Sequence, residues 1–203
     1  MEGILGIAFK DFVLLAADKT AAHSIILFKN DASKIYKLSD RLTMAVCGDP
    51  GDTPQFAEFI AKNVQLYKIR NGFELSPKAA ANFIQHNMAS YLRSRTPYQC
   101  NLLLAGYDDE TGPELYYIDY LACLIKLPFG MHGYGSHFAL GTLDKHYRYD
   151  MNEQEAYELL KKCVYQVQKR LIVNLPAFKV TIVRKDGIGD LEDIKFDPKA
   201  IGV

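Results

Sequence analysis

Two apolar runs, folded against each other at Lys10-Asp11, open the chain: Gly3-Ile4-Leu5-Gly6-Ile7-Ala8-Phe9 and Phe12-Val13-Leu14-Leu15-Ala16-Ala17. The first alternates larger and smaller apolar residues. The second is continuously apolar, the pattern of a strand covered on both faces. Asp18 ends that run with a carboxylate, and Lys34 follows at a polar–apolar boundary. Ser24 to Phe28 reads as a short strand closed by Lys29-Asn30-Asp31. Ser33 to Leu38 alternates as another strand, and Leu42 to Cys47 is a buried strand ending at Gly48.

The period then lengthens. Phe56, Phe59, Ile60, Val64 and Tyr67 predict a helix to about Arg70, with Asp52 or Thr53 as cap and Pro54 at its first position. Asn71-Gly72 ends it, and Ser76-Pro77 starts a second helix. That helix has an inner face of Ala80, Phe83, Met88, Tyr91 and Leu92, with Arg93 and Arg95 in its last turn, before Pro97.

Strands return at Cys100 to Gly106 and Glu114 to Tyr120, with Leu121 to Leu127 continuing the sheet. Gly130, Gly133 and Gly135 are read as the following turn, before a helix from Ser136 to His146. Asn152 with Glu155 predicts a capping box for a long helix through Ala156, Leu159, Leu160, Cys163 and Val167. Phe178 to Arg184 and Ile188 to Ile194 form a hairpin around Lys185-Asp186-Gly187. The order is strands, two helices, strands, two helices, strands. Two antiparallel sheets packed face to face, each covered outside by a helix pair, satisfy every apolar face. No linker or internal repeat divides the chain, so residues 1–203 are expected to form one α+β domain, a four-layer αββα sandwich.

Composition narrows the function. Lys+Arg and Asp+Glu are equal at 24 each, whereas a nucleic-acid binder needs a basic excess for its phosphate contacts. No apolar run approaches the ~20 residues of a membrane-spanning helix, and Glu2 without a cationic n-region leads us to expect no signal peptide. Cys47, Cys100, Cys123 and Cys163 lie far apart in apolar segments, which predicts buried, reduced thiols. His132 and His137 lack nearby Cys or carboxylate partners, so neither a metal nor a cofactor is expected.

Strings along nearly the whole chain carry a resemblance. They include Gly3 to Asp18, Ser33-Lys34-Ile35, Cys47 to Thr53, Leu92 to Tyr98, Asn101 to Asp108, His132-Gly133-Tyr134-Gly135, Lys169 to Pro176 and Lys185 to Ile188. In these the chain resembles the β subunits of the 20S proteasome, most of all their type-2 branch, which occupies the fourth position of the eukaryotic β ring. The resemblance implies the N-terminal-nucleophile hydrolase fold. In active members a threonine hydroxyl attacks the peptide carbonyl and needs a base within hydrogen-bond reach. It also implies partners: other β subunits of the same and the opposite ring, and α subunits. The location implied is cytoplasm and nucleus, and the role is degradation of ubiquitinated proteins.

On that register Asp18 and Lys34 fall on the family's aspartate and lysine, whereas Glu2 stands where the threonine should be. Only Met1 precedes Glu2, in place of a propeptide that is cut to free a threonine. Tyr134 replaces a serine between two glycines, and Arg170 to Leu175 lacks the distal aspartate and Ser-Gly pair. The expectation is a non-catalytic subunit whose Asp18 and Lys34 form a structural ion pair. The alternative is a free-standing hydrolase using an unusual nucleophile, Cys47 or the mature N-terminus. His146-Tyr147-Arg148-Tyr149, between the last two helices, is the candidate interface, because aromatics concentrate in interface cores and the resemblance implies that these helices face the opposite β ring.

Overall fold

The computed structural model describes residues 2–23 and 26–196. The elements run β1 (Ile4–Ala8), β2 (Val13–Asp18), β3 (Ala21–His23), β4 (Ile26–Lys29), β5 (Ile35–Ser39) and β6 (Leu42–Gly48). Helices α1 (Asp52–Asn71) and α2 (Pro77–Leu92) follow, then β7 (Cys100–Asp108), β8 (Gly112–Ile118), β9 (Leu124–Lys126) and β10 (Phe129–His132). The chain continues through α3 (Ser136–His146), α4 (Glu153–Arg170), β11 (Ala177–Arg184), β12 (Gly187–Asp190) and β13 (Ile194–Lys195).

The strands make two large antiparallel sheets among the described residues. One has the order β10-β1-β2-β11-β12, with β13 also on β11; the other runs β5-β6-β7-β8-β9. Strand parity explains the layers. Ile4 and Ala8 of β1, with Val13, Leu15 and Ala17 of β2, meet Ala45, Cys47, Leu103, Ala105 and Leu115 between the sheets. Their alternates Leu5, Ile7, Leu14 and Ala16 face the outer helices, packing on Leu143, Leu160 and Val164 of α3 and α4. A second outer core joins Phe56, Ile60 and Val64 of α1 and Ile84 and Met88 of α2 to β6, β7 and β8. The unbroken apolar run of β2 is thus the mark of a strand buried on both faces. Gly6 is small for the same reason: a Cβ there would lie 2.8 Å from Leu115 Cδ1 of the facing sheet. The result is the αββα arrangement expected.

Several local expectations fail, each for a physical reason. Helix α1 begins at Asp52 after Gly51, with no side-chain cap, because the Asp52 carboxylate accepts instead from the Gln99 N–H at 2.9 Å. Helix α2 ends at Leu92, so Arg93 is its C-cap and Arg95 lies beyond it. Its inner face is Ala80, Ala81, Ile84 and Met88; Phe83 is half-buried, and Tyr91 is exposed with its ring against Tyr98. Gly130 belongs to a strand, β10, which leaves the β9 sheet and pairs with β1 of the other one. The predicted strand at Ser24 to Phe28 is represented by β4, its first two residues lying outside the described residues. The tail from Asp197 to Val203 lies outside them as well. Cys123 is exposed, contrary to expectation, while Cys47, Cys100 and Cys163 are buried and all four are free thiols. The capping box of α4 is present, Asn152 Oδ1 accepting from Glu155 N and Glu155 Oε2 from Asn152 N.

Candidate functional site

The register of the first hairpin sets Ile4 opposite Ala17 and brings Gly3 beside Asp18. Asp18 N donates to Gly3 O at 3.0 Å, and Gly3 N donates back to Asp18 Oδ1 at 2.8 Å. The other carboxylate oxygen, Oδ2, accepts from Thr20 N at 3.1 Å. Lys34 lies just before β5, held by a bond from Val46 N to its carbonyl. Its ammonium reaches both Asp18 oxygens at 2.9 Å. Asp18 is fully buried and Lys34 is 8% exposed. Burial raises the Asp18 carboxyl above its usual range; Lys34 and the N–H groups of Gly3 and Thr20 oppose that rise by serving the ionised form.

Glu2 completes the cluster. Its Oε1 stands 3.0 Å from Lys34 Nζ, and its Oε2 accepts from Gly48 N at 2.9 Å. Two glycines flank it, and only the second makes room for Glu2 itself. Gly48 has φ +145°, and a Cβ there would fall 2.1 Å from Gln99 O; Gly133 has φ +93°, and its Cβ would fall 1.9 Å from Glu2 O. Neither position tolerates a side chain without moving backbone. The Gly133-Tyr134-Gly135 turn therefore touches the cluster through Gly133. Tyr134 itself is 64% exposed and takes no part in the ion pairs.

Of the residues singled out from the sequence, Glu2, Asp18 and Lys34 come together. The expected Asp18–Lys34 pair is present, while the sequence gives no sign of the Glu2–Gly48 contact, which joins residues 46 apart. Cys47 neighbours the cluster, but burial pushes its thiol up to about 12, which withholds the thiolate a nucleophile requires. His132 and His137 do not converge: His132 is buried and His137 exposed. The His132 ring stacks on Tyr117 with centroids 3.9 Å apart, and its Nε2 lies 3.0 Å from Leu102 O, so Nε2 carries the proton and donates. Among the described residues no group of three His, Cys, Asp or Glu could hold a metal ion, and no helix is long and apolar enough to cross a membrane.

The candidate interface segment is mixed. His146, Arg148 and Tyr149 are exposed. Tyr147 turns inward, its hydroxyl donating to Ala8 O at 2.8 Å and its ring packing on Phe9 and Phe129.

A family model described as proteasome subunit matches residues 2–183. The chain belongs to the proteasome subunit family. Its relatives within that family include the protein named proteasome subunit beta type-2-A of Arabidopsis thaliana, 50% identical over 190 residues, which are 94% of this chain and 93% of that protein. Proteasome subunit beta type-4 of Saccharomyces cerevisiae is 44% identical over 196 residues, 96% of this chain and 99% of that protein. A rice protein named proteasome subunit beta type-2 is 45% identical over 187 residues, 92% of this chain and 88% of its own length. The chain is thus a proteasome β-subunit homologue with the N-terminal-nucleophile hydrolase fold, and β1 and β2 supply the hairpin on which Glu2 and Asp18 stand.

Proposed function

We propose that this chain is a non-catalytic, structural β subunit of the 20S proteasome core, of the type-2 branch, acting as one domain in cytoplasm and nucleus. In this reading it helps close a β ring, touches β subunits of both rings and an α subunit, and walls the chamber in which ubiquitinated proteins are degraded by others. The observation that carries the reading is Glu2, which on the register the resemblance implies stands in place of the family's nucleophile: it presents a carboxylate, and both its oxygens are engaged, by Lys34 and Gly48. A carboxylate so held has no proton to surrender to a base and no free oxygen aimed at a substrate carbonyl. The type-2 assignment is supported by the higher identity to the Arabidopsis protein of that name, 50%, than to the yeast protein named type-4, 44%.

Native mass spectrometry tests it. The chain is expected in a particle of roughly 700 kDa, the mass of about 28 such subunits in stacked rings. A free 22.9 kDa chain that hydrolyses an amide substrate, or that is labelled by an N-terminal-nucleophile inhibitor, would overturn it.

A further inference from the structure

Asn71 ends α1 and Gly72 caps it, and this is the single Asn-Gly step in the chain. Conformation sets the glycine. Its φ is +79°, and its N–H donates to Lys68 O at 2.9 Å, the left-handed cap that closes a helix. Phe73 completes the cap, its ring edge-on to Tyr67 with centroids 5.6 Å apart. The Asn71 amide is tied to the same turn, Nδ2 donating to Tyr67 O at 2.9 Å. Both residues are exposed. Asn63, Asn82 and Asn87 also reach back four residues to a carbonyl, but Val64, Phe83 and Met88 follow them. A side chain on the following residue hinders its nitrogen from approaching the amide carbon. At Gly72 that hindrance is missing, and the space where a Cβ would stand is open.

We propose that Asn71-Gly72 is a site of spontaneous deamidation, gated by fraying of the last turn of α1. The Gly72 nitrogen, losing its proton to water, attacks Asn71 Cγ. The N–Cγ bond forms, the Cγ–Nδ2 bond breaks, and ammonia departs with a proton taken from water. Water then opens the five-membered imide at either carbonyl and leaves aspartate or isoaspartate; nothing is oxidised or reduced. In the closed turn three features block the first step. The Gly72 nitrogen is engaged with Lys68 O, the Asn71 amide is held on Tyr67 O, and the helical backbone of Asn71 keeps the nitrogen away from Cγ. An opening of the turn releases all three, so conversion records such openings. The change is one-way. A carboxylate at this position offers Tyr67 O no proton and places negative charge at the negative end of the helix. Isoaspartate also adds a backbone methylene ahead of Gly72, which breaks the cap. Lys68 ties this turn to Asp40 and Glu74, at 3.1 and 2.6 Å, so the damage reaches the turn between β5 and β6 and the approach to α2. The inference stands on the end of α1 alone and is independent of the chain's role in a particle.

The full chain, as isolated from cells in its native assembly, is incubated at neutral pH beside the same chain unfolded in guanidinium chloride. Peptide mapping by mass spectrometry follows amide-to-acid conversion at each asparagine, and methyl transfer by a protein isoaspartyl methyltransferase measures the isoaspartate. Conversion at position 71 is expected in both samples, roughly tenfold or more slower in the folded one because it waits on local opening. The other asparagines of the folded chain are expected to stay intact. Phe73→Ala removes the ring that clasps the turn without touching either reacting residue. It is expected to speed conversion about threefold in the folded chain and to leave the unfolded rate unchanged. Asn71→Gln keeps an amide but closes the larger ring far more slowly, and is expected to abolish the isoaspartate label. Should Phe73→Ala not fold, Tyr67→Leu opens the same clasp and carries the same test. Equal rates in folded and unfolded chains, or a folded rate unmoved by Phe73→Ala, would overturn the proposal. So would a folded chain still unconverted at position 71 long after the unfolded chain has converted fully.

Discussion

Lys34 holds the Asp18 carboxylate by both oxygens, at 2.9 Å each, with Asp18 fully buried and Lys34 nearly so. The pair joins the end of β2 in one sheet to the start of β5 in the other. Burying two charges is costly, and their mutual attraction offsets that cost only while both are present. Lys34→Ala leaves the fully buried Asp18 carboxyl with only the Gly3 and Thr20 N–H groups to serve its charge. The expected loss is about 3–5 kcal/mol of stability. Replacing both partners, Asp18→Asn with Lys34→Met, is expected to cost clearly less than the sum of the single changes, a coupling that a double-mutant cycle by urea unfolding measures. In particles that assemble with Lys34→Ala, the peptidase activities of neighbouring subunits are expected to stay near normal. Loss of one such activity with normal assembly would contradict the structural role.

A second relationship sets a pH dependence. Burial lowers His132 from an ordinary 6.5 to about 4, against the raising influence of its bond to Leu102 O. The folded state therefore holds His132 neutral while the unfolded chain protonates it near its ordinary value. The unfolded state binds more protons between pH 6.5 and about 4, so stability is complete above the upper value and falls as pH drops through this window. The full contribution is of order 3 kcal/mol. Urea midpoints measured at pH 7.5, 6 and 5 are expected to decline. The decline should be smaller in His132→Asn, which keeps a donor but does not titrate.

The thiols make a pattern that labelling reads directly. Burial pushes Cys47, Cys100 and Cys163 each up to about 12, whereas Cys123 is exposed on the loop after β8. The thiolate is the reactive species, so at pH 7 a maleimide is expected to modify Cys123 rapidly and the other three only after unfolding. Peptide mapping after a short pulse checks this. Modification of Cys47 in the folded chain at the rate of Cys123 would mean that the cluster around Glu2 is open.

What the sequence reveals depends on how local the cause is. Strand β2 is legible because burial on both faces leaves an unbroken apolar run from Phe12 to Ala17. The start of α4 is legible because the capping box is a contact three residues apart. Strand β10 is not, since Gly130 looks like punctuation. Its smallness instead comes from the next layer, where a Cβ would lie 3.3 Å from the Tyr117 ring. The inner face of α2 is misread by one position, Phe83 for Ile84, because the sheet beneath takes Ile84 and leaves Phe83 at the edge. At the site, Asp18 and Lys34 stand out as charges bordering apolar runs. The engagement of Glu2 by Gly48 is set by the packing of β1 against β6 across the sandwich, and no spacing in the chain encodes it.

The segment between α3 and α4 separates an inner from an outer role, and two substitutions distinguish them. Tyr147 donates its hydroxyl to Ala8 O and packs between Phe9 and Phe129, so it anchors β1 to the outer helices. Tyr147→Phe retains the ring contacts but leaves the Ala8 carbonyl without that donor, and is expected to cost about 1 kcal/mol of stability. Tyr149 is 59% exposed, with His146 and Arg148 beside it. Exposed aromatics next to Arg are the composition of an interface core, where truncation costs binding and spares the free chain. Tyr149→Ser is therefore expected to leave the unfolding midpoint of the chain unchanged within about 0.5 kcal/mol, while shifting the native-gel distribution from full particles toward half-particles. The opposite assignment, Tyr149→Ser destabilising the chain and leaving the particles intact, would place this tyrosine in the fold and remove the segment as a contact between rings.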